Sequence, residues 1–151
     1  MQRRLWAHQL QLTIVDWLYE TGQTHHPIAN GLYYENQTAE AKKRAAHFTA
    51  NQMPKFLGYF ERILQRNAKG GEFILGKKVC YVDLSLFQMI EELRYAFPQT
   101  MARLEPQHPR LITLHDRILA CPRVAAYLSS PRRLPFNQQG IFRRYPELDE
   151  E

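Results

Sequence analysis

Apolar residues return along this chain every three or four positions with polar residues between them, and no segment shows the strict alternation of a half-buried strand. The pattern predicts helices nearly throughout. Over Gln2 to Thr21, Leu5, Leu12, Val15 and Tyr19 recur at helical spacing, and Gly22 supplies the stop. The stretch GQTHHPIANGLYYENQ that follows is rich in Gly and Asn, carries a proline, and is too long for a tight turn. A second helix is expected from Thr38, read as its N-cap, with Glu40 in the first turn. Lys42, Lys43 and Arg44 give it an exposed basic face. Ala41, Ala45 and Phe48, and then Phe56, Leu57, Phe60, Ile63 and Leu64, give the buried one. Pro54 falls inside this pattern. Its ring removes a hydrogen bond and clashes with the preceding turn, so a kink is expected there. The run NAKGG closes the segment.

A third helix is predicted from Tyr81 to Phe97. Leu84, Leu86, Phe87, Met89, Ile90 and Leu93 cover more than one of its faces, which places it at the centre of a bundle. Pro98 ends it, and TMARLE reads as a short turn. A fourth helix spans Pro109 to Ala120, with Leu111, Leu114, Ile118 and Leu119 as its stripe. Pro122 suits the first position of a fifth, RVAAYLSS. From Pro131 onward proline and glycine recur, so 131–151 reads as an irregular tail. Leu134, Phe136, Ile141, Phe142 and Tyr145 give that tail something to pack with. The whole is an all-α bundle of about five helices in one domain, 1–151.

One carboxylate interrupts the apolar run GKKVCYVDLSLF. Buried without a partner, Asp83 would be costly. With Cys80 as N-cap, Asp83 is the third helical residue, where a carboxylate reaches back to the cap's backbone N–H in a capping box. Val79 and Leu84 then occupy the positions of the hydrophobic staple. The pair Cys80 and Asp83 is therefore read as structural rather than catalytic.

Composition adds bounds to this picture. The 151 residues are 44% hydrophobic and 23% charged, as expected of a soluble globular domain. No run of about 18 apolar residues is present, so no membrane span is expected. The N-terminus lacks the apolar core and cleavage site of a signal peptide. The formal charge of +5 is spread over small basic groups, and no nucleic-acid-binding module accompanies them, so no nucleic-acid partner is expected. Cys80 and Cys121 stand apart and form no CxxC pair. Free thiols in a reducing, cytoplasmic setting are the expectation.

The capping-box segment GKKVCYVDLSLFQMIEELRYAFP resembles the central helix of the glutathione S-transferase C-terminal domain, which opens on a glycine and a Ser/Thr-x-x-Asp box. Val79, Tyr81 and Asp83 match, and Cys80 stands where the family has Ser or Thr. The resemblance continues over nearly the whole chain. RLWAHQLQLTIVDWLYETGQTHHPI is similar to the family's first C-domain helix, MPKFLGYFERIL to its second, and PRLITLHDRILACPRVAAYLSSP to its last helices. The tail resembles the extensions that cover part of the acceptor pocket in the mu- and pi-like branches.

The resemblance implies one half of a two-domain enzyme. In that family a thioredoxin-like N-terminal domain binds glutathione, the co-substrate, and carries the group that lowers its thiol's pKa. No βαβ pattern of that kind is read here. The chain alone is expected to be inactive, contributing the pocket for a small hydrophobic electrophile once such a domain completes it. No other cofactor is implied. A homodimer or a thioredoxin-like partner is expected, since Trp6, Trp17 and Leu18 cannot all face one core. The alternative is a non-catalytic helical interaction module or a truncated remnant.

By analogy with an acidic residue on the matching helix, Glu20 is the candidate contact for the amino group of glutathione; otherwise it lies on a solvated face. His25 and His26 are candidates for the acceptor pocket, or else a polar loop. They lack the further ligands a metal site needs, so no metal is expected. Tyr33, Tyr34, Phe136 and Phe142 carry the same pair of readings: pocket lining or simple packing. His47, His108 and His115 read as ordinary surface or hydrogen-bonded helix residues.

Overall fold

The computed structural model describes residues 2–67 and 71–149. Seven α-helices are found among them: α1 (Gln2–Gly22), α2 (Thr38–His47), α3 (Met53–Arg66), α4 (Tyr81–Ala96), α5 (Pro98–Leu104), α6 (Pro109–Leu119) and α7 (Pro122–Leu128). There is no sheet among the described residues, only an isolated bridge between Phe73 and Gly76. None of the described helices is long and apolar enough to cross a membrane. The expected all-α bundle is the architecture. Most of NAKGG, residues 68–70, lies outside the described residues.

α4 is the central helix. It packs on α1, α5 and α6, and α6 packs in turn on α3. Val82, Leu86, Ile90 and Leu93 are wholly buried along it. Leu84, expected inside, is instead exposed, as is its staple partner Val79. On α6, Leu111, Leu114 and Ile118 are buried, while Leu119 is largely exposed. Trp17 of α1 closes the core on the other side. It is fully buried and stacks on Phe56 at 5.4 Å and on Phe60 at 6.1 Å.

Three details differ from the pattern-based reading, each for a physical reason. The break expected at Pro54 arrives earlier, as a widened π-helical turn over Phe48–Gln52, so that Pro54 falls in the first turn of α3 where its missing N–H costs nothing. Gln37, not Thr38, is the N-cap residue of α2. The Thr38 hydroxyl donates to the Tyr34 carbonyl, while the buried Gln37 amide fastens the preceding loop through Ile28, Ala29 and Leu32. TMARLE is helical rather than a turn, because Pro98 can start α5 and an acceptor from elsewhere completes its N-terminus.

That acceptor is Asp149. Its buried carboxylate takes the N–H groups of Gln99, at 2.7 Å, and Thr100, at 3.1 Å. Glu61 does the same for α6, accepting from Arg110 at 3.0 Å and Leu111 at 2.9 Å. For α4 the capping box is formed: Asp83 accepts the Cys80 N–H at 2.7 Å, and its other oxygen accepts the Ile74 N–H, also at 2.7 Å. Ile74 reaches it from a tight turn that requires Gly76, whose φ of +125° few side chains tolerate.

Asp83→Ala leaves two N–H groups without their acceptor, the buried one of Ile74 and the partly buried one of Cys80. Each charge-assisted bond is substantial, so a loss of about 2–4 kcal/mol in urea unfolding is expected, with the same helical circular dichroism before the transition. Cys80→Ser restores the better acceptor oxygen and raises the unfolding free energy by about 0.5–1 kcal/mol in the same assay.

Candidate functional site

A groove runs between α1 and the tail. Its near lobe, about 470 Å³, is lined by Leu18, His25, His26 and Arg143 among others. Its far lobe, about 500 Å³, is lined by Gln11, Met89, Glu92 and Phe142 among others. Val15, Leu18, Gly140 and Ile141 line both lobes, which makes them one groove with an apolar middle.

The helix wall exists because α1 has two apolar faces. Ala7, Leu10, Ile14 and Trp17 are buried in the bundle. Leu5, Leu12, Val15 and Tyr19, the residues whose spacing predicted the helix, point away and are exposed. At 100° per residue the two sets lie on opposite sides.

The tail wall is set by His25. Its Nε2–H donates to the Ile141 carbonyl at 2.7 Å. In the neutral ring Nδ1 is then an acceptor, so the proton in the Nδ1–Nδ1 contact belongs to His26. Burial lowers the His25 pKa to about 4, helped by the Arg143 and His26 charges and opposed by the Ile141 carbonyl. His26 is lowered too, first by burial, then by Arg143, and is partly restored by Glu35 and the Leu32 backbone. Burial raises Glu92, in the far lobe, against a hydrogen bond from Gln88 at 2.6 Å. Gln11 Oε1, on the same lobe, is buried with no hydrogen-bond partner among the described residues.

The structure distributes the candidate residues unevenly. His25, His26 and Phe142 line the groove. Tyr34 lies outside it, stacked on Tyr145 at 3.8 Å with its hydroxyl donating to Glu147 at 2.8 Å; burial and that carboxylate raise its pKa. Tyr33 is exposed to solvent. Phe136 stacks on Tyr95 at 4.7 Å, beneath the Arg133 guanidinium. Glu20 is ion-paired with Arg44 of α2, both half-buried. His108 is hydrogen-bonded to the Leu104 carbonyl, and His115 to Glu91 and Asp116. Sequence reading missed Val15, Leu18, Ile141 and Arg143 as groove residues. The second apolar period of α1 was the available signal for the first two.

Cys80 and Cys121 line a separate, more apolar groove of about 660 Å³. Burial and the neighbouring Asp83 raise the Cys80 pKa, which keeps that thiol protonated and unreactive. Both thiols are free.

The family model for the glutathione S-transferase C-terminal domain matches residues 22–131. The chain belongs to this family. Glutathione S-transferase P 1 of Xenopus laevis is 26% identical over 102 residues, 68% of this chain and 43% of that protein. The protein of the same name from Bufo bufo is 30% identical over 90 residues, 58% of this chain and 41% of its own length. S-crystallin SL11 of Nototodarus sloanii is 26% identical over 105 residues, covering 70% and 49% respectively. The chain spans about half the length of the curated relatives it matches. Most of α1 and the tail, the two walls of the groove, lie outside the matched residues of this glutathione S-transferase domain.

The histidine pair has a pH consequence. An unfolded histidine titrates near 6.5 and native His25 near 4, so between these values the unfolded chain binds more protons. Stability is therefore full above about pH 6.5 and falls as pH drops toward 4. Urea midpoints measured across this window should decline, and His25→Gln should flatten most of the slope, His26 accounting for the rest.

Proposed function

We propose that this chain is the acceptor-pocket half of a glutathione S-transferase and that the groove between α1 and the tail holds the hydrophobic electrophile. The observation that carries this reading is the apolar middle of the groove, Val15, Leu18 and Ile141, flanked by polar groups at both ends. The reaction is attack by a thiolate: the glutathione sulfur forms a carbon–sulfur bond to the electrophile and, on an aryl halide, the halide departs with the bonding electrons. Ionising the thiol needs a donor aimed at sulfur, which in this reading a thioredoxin-like domain supplies. His25 and His26 belong to the pocket wall, and Phe142 supplies apolar surface at the far lobe. Glu20 is the contact for the amino group of glutathione, which would then share that carboxylate with Arg44. The setting is cytoplasmic and the role detoxification, in keeping with two free thiols.

A second reading, a non-catalytic interaction module, is favoured by one observation. The face of α1 bearing Leu5, Leu12, Val15 and Tyr19 is exposed, with Trp6 at its flank. Apolar surface of this kind is normally covered by a partner. Under the first reading its cover is the completing domain or a second copy of the chain.

The purified chain should neither be retained on immobilised glutathione nor conjugate an aryl halide. Turnover by the chain alone would overturn the division of labour proposed here. The pocket itself is tested by titrating an apolar fluorescent probe. Ile141→Asp, which puts a charge on the shared wall, should weaken binding about tenfold, roughly the value of one apolar side chain. Leu134→Asp, on an exposed part of the tail, should leave it unchanged.

A further inference from the structure

The two lobes of the groove are electrically unlike. Among the described residues, none that lines the near lobe is acidic. It holds the Arg143 guanidinium, the His25 and His26 rings, and the amide side chains of Gln23, Asn30 and Gln139. Arg143 is half-buried, and its Nε–H donates to the Gly140 carbonyl at 2.9 Å, 3 residues back in the same tail. None of the ion pairs found among the described residues includes it. Arg44, Arg94 and Arg133, by contrast, each meet a glutamate. The far lobe carries Glu92, the one acidic residue of the groove lining among the described residues.

A guanidinium with no ion pair among the described residues, at the rim of a half-enclosed apolar cavity, is suited to receive a carboxylate, because its planar fork matches the two oxygens. The field of Arg143 is felt inside the lobe, where it helps hold both imidazoles neutral. Glu35 opposes it at His26, but from an exposed position outside the lining and to a smaller extent. The apolar middle formed by Val15, Leu18 and Ile141 offers nothing to a small inorganic anion. It suits a ring system attached to the charged group. Glu92 at the other end disfavours the reverse orientation.

We infer that the groove selects acceptors that are organic carboxylates: an apolar, one- or two-ring body lying along Val15, Leu18 and Ile141, with its carboxylate on Arg143 at the His25–His26 end. This rests on the reading of the groove as the acceptor pocket and narrows its substrate class. Arg143 acts as a specificity-determining residue, with no part in forming the carbon–sulfur bond.

The test compares 2-naphthoate with 2-naphthamide, equal in shape and different in charge, by calorimetric titration of this chain at pH 7. Naphthoate should bind about tenfold more tightly, as expected of one charge-assisted pair. Arg143→Gln should bring the two affinities together by weakening naphthoate alone; the unchanged naphthamide value certifies that the groove is intact. Arg143→Lys should keep part of the preference. In proton NMR, naphthoate should raise the titration midpoint of His26, since the bound carboxylate cancels the arginine charge, while naphthamide should not. Equal affinities in the parent chain, or a preference that survives Arg143→Gln, would overturn the carboxylate assignment and leave the pocket standing. Failure of both compounds to bind would overturn the acceptor pocket, and this inference with it.

Discussion

The fold turns on one carboxylate shared by two backbone amides. Asp83 lies at the start of the central helix with none of its surface exposed, and it accepts the N–H of Cys80 and the N–H of Ile74. The first bond starts α4, the helix against which α1, α5 and α6 are packed. The second ties that start to the turn leading out of α3. A buried anion is tolerable here because fixed donors replace its water and the positive end of a helix faces it. The same solution recurs twice: Glu61 holds the start of α6 and Asp149 the start of α5. Three acidic side chains that might be mistaken for catalytic groups are thus committed to helix ends.

These three caps also mark how far the sequence could be read. Asp83 was legible because its partner Cys80 is three residues away and the spacing of a capping box is local. Glu61 and Asp149 meet amides 49 and 50 residues distant, and no periodicity within a window reports such a meeting. The same limit explains α5. TMARLE holds too few residues to show a stripe, and the group that completes its first turn comes from the end of the tail. The helix types, the central place of α4, the N-cap of α4 and the starts at Pro109 and Pro122 were written in local chemistry, and the bounds agree with the structure to within a residue or two at α1, α4 and α6.

The site was less legible than the fold for a different reason. Periodicity identifies α1 as a helix twice over, because Leu5, Leu12, Val15 and Tyr19 fit the helical repeat as well as Ala7, Leu10, Ile14 and Trp17 do. It cannot say which set faces inward. Packing decides this, since Trp17 finds Phe56 and Phe60 to stack on. Once Trp17 is inside, Val15 and Tyr19 are turned outward, and the helix acquires the face that walls the groove. His25 and His26 were visible as a pair, yet their role depends on Ile141, 116 residues from His25. Arg143 and Arg144 together read as a small solvated basic group, because a charge pair in a tail looks like open surface until its surroundings are known.

The groove wall is therefore an outcome of how the tail is pinned rather than of its own sequence. On one side, Arg133 meets Glu91 at 3.6 Å and Phe136 stacks on Tyr95, holding the chain to α4. On the other, Tyr145 stacks on Tyr34, Leu148 is buried, and Asp149 caps α5. Between these anchors the tail spans the groove with two attachments to the bundle: the buried Phe142 and the bond from His25 to the Ile141 carbonyl. Gly22 sits beneath this span, and a Cβ there would meet the Ile141 side chain at 3.7 Å, ordinary van der Waals contact. The tail is thus anchored at both ends and has fewer attachments between them among the described residues. The charge on Arg143 lies in this middle part, between the two anchored ends. Asp149, which completes α5, thus also fixes one end of the strap that carries Arg143.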